Sequence, residues 1–127
     1  MQLCTGGVWG EQEEEEKKIG LTVNVAINYG GRAEMINAIK LISDDINKGL
    51  VDKIDEETVN KYLYTSDSPD PDLIIRTAGE CRLSGFLLWQ SAYSELYFTN
   101  VTWPDFDEKE LDKAIEEFNN RKRNFGK

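Results

Sequence analysis

Histidine is absent from this sequence. Without an imidazole there is no Ser-His-Asp or Cys-His nucleophilic system and no His-ligated zinc. Cysteine is nearly as scarce. Cys4 and Cys81 are too few and too far apart for a metal knuckle or a disulfide framework, which fits a reducing cytosol. Beside Arg82, Cys81 reads either as a pocket-lining thiol or as an incidental small residue. No run approaches the ~18 consecutive apolar residues of a membrane span, and the N-terminus lacks a signal-peptide core. A cytoplasmic protein is expected, at most peripheral to the inner face of the membrane. Positive charge is short as well: 15 Lys and Arg against 24 Asp and Glu leave a formal net charge of −9. That balance argues against nucleic-acid partners, whose phosphate backbone asks for a basic stripe.

What is present suits one small domain with a modest core: 127 residues, 39% hydrophobic and 10% aromatic. Residues 1–17 stand apart as an acidic tail, expected to be a solvated helix or disordered, and 18–127 read as the domain proper. The β-branched run Leu21 to Ile27 reads as a strand and ends in the Asn28-Tyr29-Gly30-Gly31 turn. A helix is expected from Ala33 to Lys48, stopped by Gly49, with Met35, Ile36, Ile39, Ile42 and Ile46 as its core stripe. A short helix opens at Asp55-Glu56-Glu57 and runs to Leu63. The strand Asp72 to Arg76 follows a Pro/Asp/Ser loop, Phe86 to Ser94 reads as a buried helix, and Leu96 to Phe98 as a third strand. Asp107 with Glu110 makes a capping-box pattern ahead of a last helix striped by Leu111, Ile115 and Phe118. Strands alternating with helices predict an α/β fold, a parallel sheet with flanking helices. Three parallel strands make a poor domain, so missing strands or a partner are expected.

Function is concentrated between Pro69 and Phe106. The apolar run Leu73 to Ile75 ends in Arg76, and a Gly-containing turn leads to Arg82 and Ser84. Of five arginines, three (Arg32, Arg76 and Arg82) follow short apolar runs or Gly turns. Two guanidiniums and a hydroxyl after one short strand suit a diphosphate, with the Leu83 and Ser84 amides completing the oxygen shell. Charge placement alone equally allows each arginine to be a surface ion-pair partner. Glu95, ahead of the next strand, has the chemistry to hold Mg²⁺ against bound phosphates. It reads alternatively as a helix-end carboxylate pairing at the surface. Glu80 is expected to orient an arginine rather than touch substrate.

Five stretches, in one order, resemble the cis-prenyltransferases and within them the bacterial undecaprenyl diphosphate synthases. They are Asn28-Tyr29-Gly30-Gly31-Arg32, Asp72 to Glu80, Arg82-Leu83-Ser84, Phe86 to Phe98, and Trp103-Pro104-Asp105-Phe106. The resemblance covers about residues 18–127 and implies the C-terminal part of a larger single-domain cis-prenyltransferase fold. It implies that Arg76, Arg82, Leu83 and Ser84 bind the diphosphate of isopentenyl diphosphate, and that Glu95 holds Mg²⁺. Asn28 and Arg32, at a strand's C-terminal end, would support the allylic diphosphate, of the farnesyl diphosphate type. The family's Asp-Gly-Asn-Gly-Arg-Trp motif does not occur here, so no catalytic residue is assigned and the chain alone is expected to be inactive. Where family members show Arg-x-Gly near the C-terminus, this chain has Asn124-Phe125-Gly126, with Arg121 or Arg123 as substitutes. The resemblance further implies long-chain cis-polyprenyl diphosphate synthesis for the cell-wall lipid carrier and a homodimer, its interface near the apolar stretch from Phe86 to Phe98. Two other readings stand beside it: a non-catalytic partner subunit of a cis-prenyltransferase complex, and a free-standing phosphate-binding module.

Overall fold

The structure is a computed structural model that describes residues 20–122, together with the backbone course of 2–5. Its elements run β1 (Gln2–Thr5), β2 (Asn24–Ile27), α1 (Gly31–Asn47), α2 (Glu56–Tyr62), β3 (Leu73–Arg76), β4 (Glu95–Phe98), a 3-10 turn (Trp103–Asp105) and α3 (Glu108–Asn120). They form two compact units, Met1–Ser66 and Asp67–Lys127.

In the first unit β1 and β2 pair in parallel, Gln2 beside Asn24 and Thr5 beside Ile27. Residues 2–5 are thus a strand where the sequence led us to expect helix or disorder. Pairing with a strand some 20 residues further on in the chain overrides a weak local preference. α1 ends in a Schellman motif. Gly49 takes φ 71°, its N–H donates to the Ile46 carbonyl and the Leu50 N–H to the Asp45 carbonyl, satisfying two carbonyls that the last turn would leave bare. Asp55 caps α2, its carboxylate accepting from the Thr58 N–H at 2.9 Å. The Tyr62 hydroxyl donates to Asp45 Oδ2 at 2.8 Å, tying α2 to α1.

The core of this unit is small: Ala38, Ile42 and Leu63, with the carboxylate of Glu34 among them. The apolar stripe of α1 departs from expectation here. Only Ile42 of its five members is buried, whereas Ile36 and Ile39 are 56% and 60% exposed. The helix rotates the line Glu34, Ala38, Ile42 inward, and nothing among the described residues of the unit covers the flank that carries Ile36, Ile39 and Ile46.

In the second unit β3 and β4 pair in parallel, Leu73 beside Glu95 and Arg76 beside Phe98. The ladder continues past both ends. The Glu95 N–H donates to the Asp72 carbonyl, the Thr99 N–H to Arg76, and the Gly79 and Ala78 N–H groups to Thr99 and Val101. Among the described residues the strands form two parallel pairs, one in each unit, rather than one three-stranded sheet.

Phe86 to Ser94 is not a helix but a chain of turns. Ser84, Gly85 and Leu87 have φ of 51°, 83° and 48°, and a right-handed helix cannot run through left-handed residues. Its N–H groups make mostly three-residue bonds, Phe86 to Leu83, Ala92 to Trp89 and Ser94 to Ser91. α3 is capped by Asp107, which accepts from the Glu110 N–H at 3.1 Å. The Glu110 carboxylate pairs with Lys113, so one arm of the expected capping box is made. Ala114 is the fully buried residue of α3, while Leu111 and Ile115 lie largely exposed.

Candidate functional site

β3 delivers Arg76 to the C-terminal edge of its strand pair, where the chain enters the loop 77–87. The Ser94 hydroxyl donates to the Pro71 carbonyl at 2.6 Å and fixes the entry to that strand. Left-handed backbone is concentrated after it: Ala78, Gly79, Ser84, Gly85 and Leu87 all have φ between 48° and 83°. Strained residues of this kind gather where a loop must aim amides or side chains at something. At Gly79, with φ 71°, a Cβ would also stand 3.0 Å from Asn100 Oδ1, so backbone conformation and space both favour glycine there.

Within this loop the predicted residues have different surroundings. Arg76 is half-buried, and its Nε is shut away from solvent with no hydrogen-bond partner among the described residues. A buried guanidinium N–H without an acceptor is uncommon, because leaving one unmet costs ~1–3 kcal/mol. Arg82 is exposed and ion-paired with Glu80. Leu83 is half-buried and Ser84 exposed. Cys81 is an exposed free thiol.

Glu95 lies elsewhere. The strand register puts it beside Leu73, at the N-terminal edge of the pair, three residues or ~10 Å along the strands from the Arg76–Phe98 pair. Side chains alternate along a strand, so Glu95 shares a face with Leu73 and Ile75, and Arg76 takes the other. The Glu95 carboxylate is engaged: Arg121 Nη1 donates to Oε2 at 2.9 Å and to the Leu96 carbonyl at 2.8 Å. The other end of the same guanidinium meets Glu117. These two carboxylates, Glu117 first, hold Arg121 above its ordinary pKa. Glu95, at the start of a strand and part-buried, is thus paired with Arg121 in this arrangement.

Mg²⁺ commonly takes one or two carboxylates, several waters and substrate phosphates. Among the described residues no three acidic or sulfur groups cluster as a metal site. Glu95 has the right oxygen donors, and one of them accepts from the Arg121 guanidinium in this arrangement.

Asn28 and Arg32 belong to the first unit. Both are exposed, on either side of the Tyr29-Gly30-Gly31 turn that leaves β2, and Asn28 has φ 55°. Arg123 and the Asn124-Phe125-Gly126 stretch lie outside the described residues. Two features escaped the sequence reading. One is the bridge from Arg121 to Glu95. The other is buried Glu34, whose signal was available: a carboxylate in line with Ala38 and Ile42 at four-residue spacing on the inward face of α1.

Residues 8–126 match the family described as "Putative undecaprenyl diphosphate synthase", with a start inside the stretch that composition set apart. The chain belongs to the undecaprenyl diphosphate synthase family. It is 56% identical over 115 residues to an isoprenyl transferase of Fusobacterium nucleatum, a match covering 91% of this chain and 48% of that protein. An isoprenyl transferase of Thermotoga maritima is 52% identical over 119 residues, covering 93% and 51%. Among solved structures, lavandulyl diphosphate synthase from Lavandula x intermedia, in complex with dimethylallyl diphosphate, superimposes with a TM-score of 0.79 at 40% identity, covering 82% of this chain and 46% of that one. A "probable undecaprenyl diphosphate synthase" from Campylobacter jejuni gives 0.67 at 41% identity. The chain thus spans about half the length of the relatives it matches. No helix among the described residues is long and apolar enough to cross a membrane.

Proposed function

We propose that this chain is the diphosphate-binding part of an isoprenyl transferase, and that Arg76, Arg82, the Ser84 hydroxyl and the Leu83 and Ser84 amides bind the diphosphate of isopentenyl diphosphate. The observation that carries the reading is the buried, unmet Nε of Arg76 at the C-terminal edge of β3. Ligands of open α/β sheets collect at that edge, and a phosphate oxygen would supply the missing acceptor with a charge-assisted bond. Arg82 stands on the solvent side, where an incoming diphosphate competes with Glu80 for its guanidinium.

In the reaction the isopentenyl double bond attacks the allylic carbon as the allylic diphosphate departs, and loss of a proton leaves a new cis double bond. The residues here act by binding: two guanidiniums and a hydroxyl hold the homoallylic diphosphate and offset its charge. The allylic diphosphate is of the farnesyl type, Asn28 and Arg32 lie on its side, and the product is a long cis-polyprenyl diphosphate of undecaprenyl length for cell-wall lipid carriers. Of the residues present, Glu95 has the donors for Mg²⁺, once Arg121 releases it. The enzyme is cytoplasmic, peripheral to the membrane, and homodimeric through the stretch from Phe86 to Phe98, where Phe86, Leu88, Tyr93 and Phe98 are exposed.

Calorimetric titration with inorganic pyrophosphate tests the site. Arg76→Met is expected to weaken binding at least ~10-fold, the worth of a charge-assisted bond, and an unchanged isotherm would remove Arg76 from the site. With labelled isopentenyl diphosphate and farnesyl diphosphate the 127-residue chain is expected to give no polyprenyl product. Long-chain product from the chain alone would overturn the division of labour.

A further inference from the structure

We propose that Glu34 is a positioning residue for the Asn28–Arg32 turn: its buried carboxylate fixes the turn from behind and so sets where Arg32 meets an anionic group. The proposal rests on the assignment of Asn28 and Arg32 to the substrate side. It deepens that assignment by naming the residue that makes it work.

The turn has no ordinary means of support. Gly30, the residue before α1, is extended at φ −150° and has no side chain to cap the helix. Two neighbouring glycines and a left-handed Asn28 leave this backbone many alternatives. Glu34, in the first turn of α1, takes over the task. Its N–H donates to the Gly30 carbonyl at 2.9 Å. Its carboxylate reaches both ways: Oε2 accepts from the Tyr29 hydroxyl at 2.5 Å, and Oε1 accepts from the Tyr64 N–H at 2.9 Å. The Tyr29 and Tyr64 rings meet edge to face, centroids 6.5 Å apart. One side chain, 1% exposed, therefore joins the turn, the helix and the chain leaving α2.

An apolar residue would fill the same place between Ala38 and Ile42 without the cost of burying a charge. What the carboxylate adds is direction. A buried network with its polar groups met selects one geometry where packing alone would accept several. The selected geometry leaves Asn28 and Arg32 exposed on either side of the pinned Tyr29. Glu34 itself touches no ligand, since it is buried.

The test uses the whole 127-residue chain, with Glu34→Met, Glu34→Gln and Tyr29→Phe, each checked for folding by its thermal transition. Hydrogen exchange comes first. Amides of residues 29–33 are expected to exchange at least tenfold faster in Glu34→Met and in Tyr29→Phe, those of β3 and β4 within twofold of the parent, and Glu34→Gln within threefold. Unchanged exchange in the turn, or one uniform rise over the whole chain, would overturn the hold of Glu34 on it. Should Glu34→Met fail to fold, Tyr29→Phe removes a single hydroxyl and decides alone.

The second readout is the Arg32 side-chain NMR signal titrated with inorganic pyrophosphate. Its apparent affinity should fall at least tenfold in Glu34→Met and recover in Glu34→Gln, while the Arg76 response stays within twofold. A faster-exchanging turn with unaltered Arg32 affinity makes Glu34 a fold residue only and overturns the positioning role. An Arg32 silent to pyrophosphate in the parent chain removes the substrate-side assignment itself and the positioning role with it, and the exchange result still decides the hold.

Discussion

The two units treat a buried charge at the end of a strand in opposite ways. After β2, Glu34 is enclosed and both its oxygens are met within the unit, by Tyr29 and Tyr64. At the end of β3, Arg76 is half-buried and its Nε is met by nothing among the described residues. Burying a polar group is costly in both places. Where the partners are built in, the arrangement holds the fold. Where one is missing, the cost stays unrelieved within the unit, which is the ground of the proposed diphosphate site. Two charged residues are separated by that difference into one whose partners are built in and one with an Nε left unmet among the described residues.

Exchanging stability for affinity is the sharpest way to break this comparison. Glu34→Met removes the carboxylate that accepts from the Tyr64 N–H and the Tyr29 hydroxyl, and it should destabilise the chain by ~1–3 kcal/mol in urea unfolding while pyrophosphate binding at Arg76 persists. Arg76→Met should do the reverse, a binding loss of at least ~10-fold with the unfolding midpoint unmoved or raised, since a buried unmet donor has been removed. If the two variants behave alike, the contrast fails.

Next in size is Gly79→Ala, which sets a Cβ against Asn100 in a left-handed residue. A cost of ~1–2 kcal/mol is expected from the backbone alone, read by the same unfolding curves, with weaker anion binding if the loop shifts. An acid titration probes the first unit more gently. Lys53 foremost, then the Thr58 N–H and hydroxyl, hold the Asp55 carboxyl well below the usual carboxylate range. A depressed folded-state pKa gives stability that is complete above the unfolded value of ~3.9 and is lost as pH falls below it. Hydrogen exchange in α2 should therefore quicken below pH ~4, and Asp55→Ala should remove that dependence. Smallest of all, Ile36→Glu on the open flank of α1 should change stability by no more than ~0.5 kcal/mol. A large loss there would mean the flank is covered after all.

The sequence was legible wherever a local signal set the geometry. Gly49 and the capping residues Asp55 and Asp107 placed the helix ends within a residue or two, because capping is decided by neighbours three or four positions away. Arg76 was legible as the end of a strand. What could not be read depends on distance or parity. Glu34 finds Tyr64 30 residues later, and Arg121 finds Glu95 across 26. Whether Glu95 shares a face and an edge with Arg76 turns on strand register, where one residue reverses the outcome. Phe86 to Ser94 misled because its apolar content suits a helix, and the left-handed φ at Leu87 has no signature in residue type.

The bridge from Arg121 also sets a timetable. A chain emerging from the ribosome can pair β3 with β4 once Phe98 is out, but the Glu95 side chain at the head of β4 gains its Arg121 partner only after α3 has been made. Pairing strands across a long intervening stretch is a slow step that loop closure opposes. In this unit the loop bearing Arg76, Arg82 and Ser84 is enclosed by that pairing, and the clasp on β4 is synthesised only after α3. During synthesis the unit is therefore shaped before it is locked, and Arg76, Arg82 and Ser84 come out of the ribosome well ahead of the residue that clasps their strands.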